Sequence, residues 1–320
     1  MILKLLVTGG LGFIGSNFIR LILKKYPGYH VTNLDIQTYA GNPDNLKGIE
    51  KSSNYTFIRG DICDKTVVEK VIQNVDAVVH FAAESHVDRS IDDASAFVRT
   101  NVLGTFVLLD SALKHTIKRF IHISTDEVYG SISKGSFKET DILTPSSPYS
   151  SSKAGSDLLA RSYFITHNLP VIITRCTNNF GPYQFPEKLI PLFITNLIEN
   201  RKVPVYGTGK NVRDWIYVED HCKAVDFVLH KGNVGEIYNI GGGAEKTNLE
   251  ITEKILTMLG KDDSMMEYVK DRLGHDLRYS LDCTKLRKLG WTPEHEFDDA
   301  LSDTVRWYVK NRWWWEKLKH

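Results

Sequence analysis

Cysteine is scarce and unpatterned in this chain. Cys63, Cys176, Cys222 and Cys283 are scattered through 320 residues with no Cys-x-x-Cys pair and no histidine at zinc spacing. That excludes a disulfide framework and a structural zinc site, so no metal is expected and the four are read as reduced thiols of a cytoplasmic protein. A surplus of one charge is also lacking: 40 Lys and Arg face 39 Asp and Glu, for a formal net charge of +1. Bulk charge therefore gives no footprint for nucleic acid or a membrane surface, and neither is expected as a partner. No apolar run is expected to span a bilayer, and the opening run Met1 to Val7 is too short for a signal peptide and flows straight into glycines. There is no internal repeat and no low-complexity linker. The triple glycine Gly241-Gly242-Gly243 has no Lys-Ser or Lys-Thr behind it, which excludes a Walker phosphate loop.

What is present is a regular alternation. Hydrophobic content of 42% with 25% charged residues is that of a soluble globular protein, and the length is roughly twice that of an ordinary domain. Strand patterns at Leu3 to Val7, Val31 to Asp35, Tyr55 to Arg59, Ala77 to Phe81, Phe120 to Ile123 and Val171 to Thr174 are separated by helical patterns, notably through Lys25, Ala94 to His115 and Tyr149 to His167. Such alternation predicts an α/β fold with a parallel, doubly wound sheet of Rossmann type, ligands lying outside the carboxyl ends of the strands. Beyond residue 180 the alternation weakens. Helices are expected at Lys188 to Asn200, Val218 to His230, Asn248 to Leu259 and Phe297 to about Lys317, with strands at Lys202 to Tyr206 and Ile237 to Ile240. The segments 207–213 and 271–279 are expected to be loops. Trp313-Trp314-Trp315 is read as rings packing a terminal helix onto the body of the protein.

The first strand runs into Gly9, Gly12 and Gly15, a variant of the dinucleotide fingerprint. Missing Cβ atoms let a backbone approach a pyrophosphate at a helix N-terminus. Asp35, twenty positions after Gly15, ends the second strand where a carboxylate would accept from adenosine ribose hydroxyls and repel a 2′-phosphate. That favours NAD over NADP; the alternative makes Asp35 a turn or cap residue. Asp61 and Ile62 lie at the mouth of the third strand, where Asp61 would meet an adenine amino group. Small Ala82 and Ala83 after the fourth strand let a cofactor lie close, and Ser85 and His86 follow in a polar loop. For His86, loop packing and substrate contact both remain open, whereas His80 and His122, inside apolar runs, are read as satisfied core histidines.

The fifth strand opens into Thr125-Asp126-Glu127, and Tyr149 and Lys153 fall one helical turn apart on one face. An ammonium beside a phenol favours the phenolate, so Lys153 is expected to lower the Tyr149 pKa toward working pH.

Together, Gly9-x-x-Gly12-x-x-Gly15, Ala82 to Asp88, Thr125 to Gly130, Tyr149-x-x-x-Lys153, Asn178 to Pro182 and Arg213-Asp214-Trp215 resemble the extended short-chain dehydrogenase/reductases. Within that superfamily the Thr-Asp-Glu triplet is similar to that of the dTDP-glucose 4,6-dehydratase family, and the likeness runs through Trp313-Trp314-Trp315-Glu316. The resemblance implies a lyase that oxidises a nucleotide-linked glucose at C4 with NAD, eliminates water across C5 and C6, and returns hydride to C6. It implies Thr125, Asp126, Glu127, Tyr149 and Lys153 as catalytic residues, with Glu127 as the base at C5 and Asp126 as the acid at the C6 hydroxyl. It adds Phe13, Ile14, Thr100 and Asn179 to the cofactor site, beside Tyr149 and Lys153. It assigns Ser85, His86, Thr125, Asn178, Lys188, Leu189, Pro204, Tyr206, Arg213, Asn248, Arg272 and His275 to the nucleotide-diphosphate sugar.

Guanidinium forks suit diphosphate oxygens, although surface ion pairing is the ordinary role of arginines such as Arg213 and Arg272. Family members usually have proline where this chain has Leu273, which bears on the rigidity of that loop. The resemblance also implies a homodimer through the helices at Ala94 to His115 and Tyr149 to His167. Residues 1–180 with 214–240 are expected to form the NAD-binding domain, and 181–213 with 241–320 a smaller, interleaved C-terminal substrate domain. Alternatives are dehydratases of UDP- or CDP-glucose, a UDP-sugar 4-epimerase, which needs no acid and base at C5 and C6, and a nucleotide-sensing scaffold without catalysis.

Overall fold

The computed structural model describes residues 3–271 and 274–319. In chain order the strands are β1 Lys4–Thr8, β2 His30–Asp35, β3 Tyr55–Arg59, β4 Ala77–His80, β5 Arg119–Thr125, β6 Val171–Cys176, β7 Asn178–Phe180, β8 Val203–Tyr206, β9 Val212–Tyr217, β10 Ile237–Ile240, β11 Glu245–Thr247 and β12 Met266–Val269. Seven of them form one sheet in the order β10-β6-β5-β4-β1-β2-β3, with every pairing parallel. The order reverses at β1, between β2 and β4, and a crevice opens there because successive crossovers leave on opposite faces.

Burial explains the strand sequences. All four residues of β4 are buried, as a central strand covered on both faces requires. On one face, Phe18, Ile19 and Ile22 of the helix Phe13–Lys25 pack with Val225, Val228 and Leu229 of the helix Val218–Lys231. On the other, the helices Lys65–Ile72, Ser95–Lys114 and Pro148–His167 cover Leu6, Val78, Phe120 and Ile173. The helix Ser95–Lys114 differs from expectation: at 20 residues it is long and apolar enough to cross a membrane by length and composition, yet half of its apolar window is buried against this layer. Its middle, Val98–Gly104, is π-helical, a local widening often associated with functional sites.

A third core gathers Phe180, Phe193, Ile255, Leu301, Tyr308, Trp314 and Trp315. Trp314 donates to the Asn45 side chain at 2.8 Å and Trp315 to the Tyr308 carbonyl at 2.8 Å, so these two rings pack as expected, while Trp313 is 47% exposed.

Two local expectations are corrected. Residues 212–213 are not loop: β7, β9 and β11 form a second sheet, with β7 parallel and β11 antiparallel to β9. β7 and β11 are only three residues long and mostly polar, so no period marks them in sequence. Segment 274–279 is pinned to this sheet by a bridge between Val212 and Arg278. His86 lies at a helix start: its side chain accepts from Arg89 N at 3.4 Å and caps the helix Val87–Asp92.

Candidate active site

A cavity of about 500 Å³ lies along the carboxyl ends of the central strands. Gly9, Gly12, Phe13, Ile14, Gly15, Asp35, Asp61, Ile62, Ala82, Ala83, Thr100, Tyr149, Lys153 and Asn179 all line it. Gly9 has φ +71°, and a Cβ there would stand 2.6 Å from Ala82 N, so the glycine turn and the β4 loop touch backbone to backbone. Gly12 caps the helix Phe13–Lys25 without any side-chain bond, which leaves the first-turn N–H groups at the cavity wall.

Asp35 serves both of the roles considered for it. Its two oxygens accept from Leu11 N at 2.9 Å and Gln37 N at 2.7 Å, holding the turn, and each oxygen has a second lone pair for a ligand hydroxyl. Asp61 is more committed, since it accepts from Cys63 N at 2.8 Å and pairs with Arg99 at 2.6 Å. A glycine-floored turn, an uncapped helix start and a carboxylate at the second strand fit a dinucleotide with a free 2′-hydroxyl.

The reacting end is built where β5 stops. Thr125 accepts from Glu127 N at 3.3 Å and so caps the turn Asp126–Tyr129, while its hydroxyl donates to Asp126 at 3.2 Å. Opposite, the helix Pro148–His167 starts with a Ser147/Ser150 capping box and Pro148 in its first turn, so Tyr149 stands at a well-fixed helix end. Tyr149 N donates to Ser90 Oγ at 3.2 Å, and Lys153 Nζ donates to Ile123 O at 2.7 Å. Asn101, in the π-helical stretch, accepts from Glu84 N and donates to Glu84 O and to Ser152 Oγ, clamping the β4 loop to the Tyr149 helix.

Burial sets the protonation states. Asp126 is pushed well above the carboxylate range by burial and then by Glu127 beside it, which keeps it a neutral acid. The Tyr149 phenol is likewise driven up, first by burial and then by Glu127, with a hydrogen bond to Thr125 acting the other way. The expected lowering by Lys153 is therefore not met by the protein's own groups, because the desolvated pocket and a nearby carboxylate both oppose the phenolate. Lys153 is itself lowered by burial and supported by Asp157, one turn further along the helix.

Asp157 is held at about 2 by hydrogen bonding from His122 and by Arg175, which donates to it at 2.8 Å. His80, bonded by Thr8 and Thr105, is a satisfied core histidine as expected; His122 is also buried and bonded by Ser156, but its Nδ1 has no hydrogen-bond partner. Burial pushes the Cys176 thiol up to about 12, so this site cysteine is a thiol and not a nucleophile. All four cysteines are free, and among the described residues no cluster of His, Cys, Asp or Glu is placed to hold a metal.

A second cavity, of about 210 Å³, is lined by Ser85, His86, Asn178, Lys188, Leu189, Pro204, Tyr206, Arg213, Asn248 and His275. Thr125 lines the larger cavity instead, and Arg272, with Leu273, lies outside the described residues. Arg213 is buried, not a surface ion-pairing arginine: it donates to Val212 O and Asp276 O and lies 4.1 Å over the Tyr279 ring. The two cavities share Ser85, Glu127, Asn178, Glu187 and Lys188, so the expected base stands at their junction. Asn178 Oδ1 and Asp126 Oδ2 are buried without a hydrogen-bond partner, a costly state that a polar ligand would relieve.

Sequence reasoning missed Glu84, Glu187, Asp276 and Tyr279. Glu187 immediately precedes the expected Lys188, and Tyr279 ends a segment expected to be loop, so proximity to assigned residues was the available signal.

Comparison with known proteins agrees with this geometry. A family model described as GDP-mannose 4,6 dehydratase matches residues 6–304. A dTDP-glucose 4,6-dehydratase of Streptomyces niveus is 55% identical over 322 residues, covering 99% of this chain and 96% of the relative. The crystal structure of the dTDP-glucose 4,6-dehydratase DesIV from Streptomyces venezuelae, with NAD and TYD bound, is 54% identical with a TM-score of 0.97, covering 98% of this chain and 99% of that one. A UDP-glucose 4-epimerase of Thermotoga maritima, with UDP-glucose, is 30% identical with a TM-score of 0.90, covering 97% and 99% of the two chains.

Proposed function

The chain belongs to the nucleotide-sugar 4,6-dehydratase family, and on that premise we propose how its own residues convert dTDP-glucose to dTDP-4-keto-6-deoxyglucose and water. The observation that carries the reading is the Asp126-Glu127 pair at the junction of two cavities, beside Tyr149 and Lys153. Gly9, Gly12, Gly15 and Asp35 would hold the pyrophosphate and ribose of NAD, which would supply a hydride acceptor for sugar C4 and a hydride donor for C6.

Tyr149 takes the C4 hydroxyl proton, with the hydrogen bond to Thr125 favouring the phenolate against the desolvating pocket. The resulting 4-ketone acidifies C5, and Glu127 removes that proton. Asp126, kept protonated by burial, gives its proton to the departing C6 hydroxyl so that water leaves. As hydride returns to C6, Glu127 gives its proton back to C5, and the proton that Tyr149 took from the C4 hydroxyl restores Asp126. Thr125 steadies the C4 oxygen. Arg213, Lys188, Asn248 and His275 receive the nucleoside diphosphate, with Arg272 belonging to the same set by family resemblance.

An epimerase shares the Tyr149 and Lys153 chemistry but has no use for a neutral acid beside a base, which is why the dehydratase is preferred to a UDP-sugar 4-epimerase. Incubating the protein with NAD and dTDP-glucose tests this. Loss of one water from the sugar nucleotide without net accumulation of reduced cofactor supports the reading; isomerisation to the galactose epimer, or no turnover, overturns it.

The same reading places residues 1–180 and 214–240 in an NAD-binding domain and the remainder in a substrate domain, supported by β10 pairing with β6 and by the separate core around Phe193 and Leu301. It takes the enzyme to be a cytoplasmic homodimer. Four free cysteines support the compartment. Exposed Val98, Leu103 and Phe106 on one helix and Leu158 and Ile165 on the next offer the apolar face for a second copy.

A further inference from the structure

Three chain segments that line the cavities meet at one side chain outside the expected site. Tyr39, in the loop after β2, donates its hydroxyl to Glu187 Oε1 at 3.1 Å. Its ring lies under the Arg89 guanidinium at 3.7 Å and edge-on to Phe185 at 5.4 Å. Glu187 is 3.5 Å from Arg89 and 3.6 Å from His86 Nε2. Its neighbour Lys188 donates to Ser85 O at 2.9 Å. Thr38, Ala40 and Gly41, on either side of Tyr39, line the larger cavity, His86 lines the smaller, and Glu187 lines both. Tyr39 itself lines neither, so whatever it does it does through its partners.

We propose that Tyr39, Arg89 and Glu187 form a clasp by which a nucleoside diphosphate in the smaller cavity slows escape of NAD from the larger one. The loop at 38–41 is tied to the 185–188 segment through the Tyr39 ring and hydroxyl. A diphosphate nucleotide beside His86 and Lys188 restrains the 185–188 segment, and through Glu187 it restrains the Tyr39 loop as well. The chemistry gives the device a purpose: hydride taken from C4 must return to C6 of the same sugar, so cofactor lost in mid-cycle aborts the turnover. Tyr39 is thus a positioning residue, and the inference rests on the dehydratase reading of the two cavities.

The test is exchange of bound NAD for labelled NAD in purified holoenzyme, with and without thymidine diphosphate, for wild type and Tyr39→Phe. The variant keeps the ring packing and loses only the hydroxyl, so its fold is expected to survive, and thymidine diphosphate affinity is measured alongside. In wild type, thymidine diphosphate slows exchange. A hydrogen bond to a charged group is worth on the order of a tenfold change in rate, so Tyr39→Phe is expected to exchange about tenfold faster with the diphosphate bound. The same variant should show a diminished response to thymidine diphosphate at unchanged affinity for it. Arg89→Ala, which frees both the ring and the carboxylate, should lose the response altogether. Equal exchange rates in wild type and both variants overturn the clasp while leaving the dehydratase reading intact. A wild-type protein that binds neither NAD nor thymidine diphosphate overturns that reading and the clasp with it.

Discussion

Glu127 and Asp126 are neighbours in the chain with opposite proposed duties, and the difference between them lies in surroundings. Replacing Glu127 with Gln keeps the shape and removes the base. Turnover is expected to fall by about 10²–10⁴, the usual contribution of a general base. Oxidation at C4 does not need Glu127, so reduced nicotinamide absorbance should build up on the enzyme with dTDP-glucose. Full turnover in that variant would place the base elsewhere.

Asp126 carries a stability cost with a definite sign. Its folded pKa lies well above its ordinary value of 3.8, so between those two values the folded state holds a proton that the unfolded state has lost. Stability from this group is complete below about pH 4 and declines as pH rises toward the folded value. Asp126→Asn is therefore expected to unfold at a higher temperature than wild type at pH 7, with the gain vanishing below about pH 4, and to lose elimination. Melting scans across that range, beside activity, check both halves. The identities of Asp126 and Glu127, and the need for a protonated Asp126 beside an ionised Glu127, were readable in the sequence with the family's chemistry, but the groups that desolvate Asp126 were not, because desolvation depends on what packs around it.

At the level of elements, the clearest device is the π-helical widening at Val98–Gly104, which turns Asn101 into a three-way clamp. Asn101→Ala leaves the Glu84 backbone groups and Ser152 without these partners in a buried setting. The expected cost is about 2–3 kcal/mol of unfolding free energy by chemical denaturation, with a lower turnover because the Tyr149 helix loses its tether to the β4 loop. A variant as stable as wild type would make the clamp incidental. The helix itself was legible from its apolar spacing, whereas the widening was not, since an α-to-π change in a few backbone bonds leaves no periodic trace over seven residues. The same holds for β7 and β11. Each is too short for alternation to register, and both exist because β9 lies between them to complete their hydrogen bonds.

For the molecule as a whole, the exposed apolar residues lie on the Tyr149 helix Pro148–His167 and on Ser95–Lys114, so association would buttress the proposed catalytic side of the sheet. Leu158→Glu puts a charge on that face. Sedimentation equilibrium is expected to give twice the 36.4 kDa chain mass for wild type and the single-chain mass for the variant. Wild type sedimenting at 36.4 kDa would refute the dimer.

The amino-acid order alone determined the parallel α/β sheet, because alternating strand and helix periods leave few other packings. It determined the dinucleotide turn, because glycines and Asp35 stand at spacings that only a close backbone approach and a ribose contact require together. It determined the Tyr149 and Lys153 face, because four positions make one helical turn. Only the tertiary structure decided that Glu127 stands where two cavities join, that burial more than its neighbour raises Asp126, that Arg213 is buried under Tyr279, and that Tyr39, Arg89 and Glu187 meet. Those properties arise from residues far apart in the chain, brought together by the strand order at β1 and desolvated by one another, and no local pattern encodes either distance or burial.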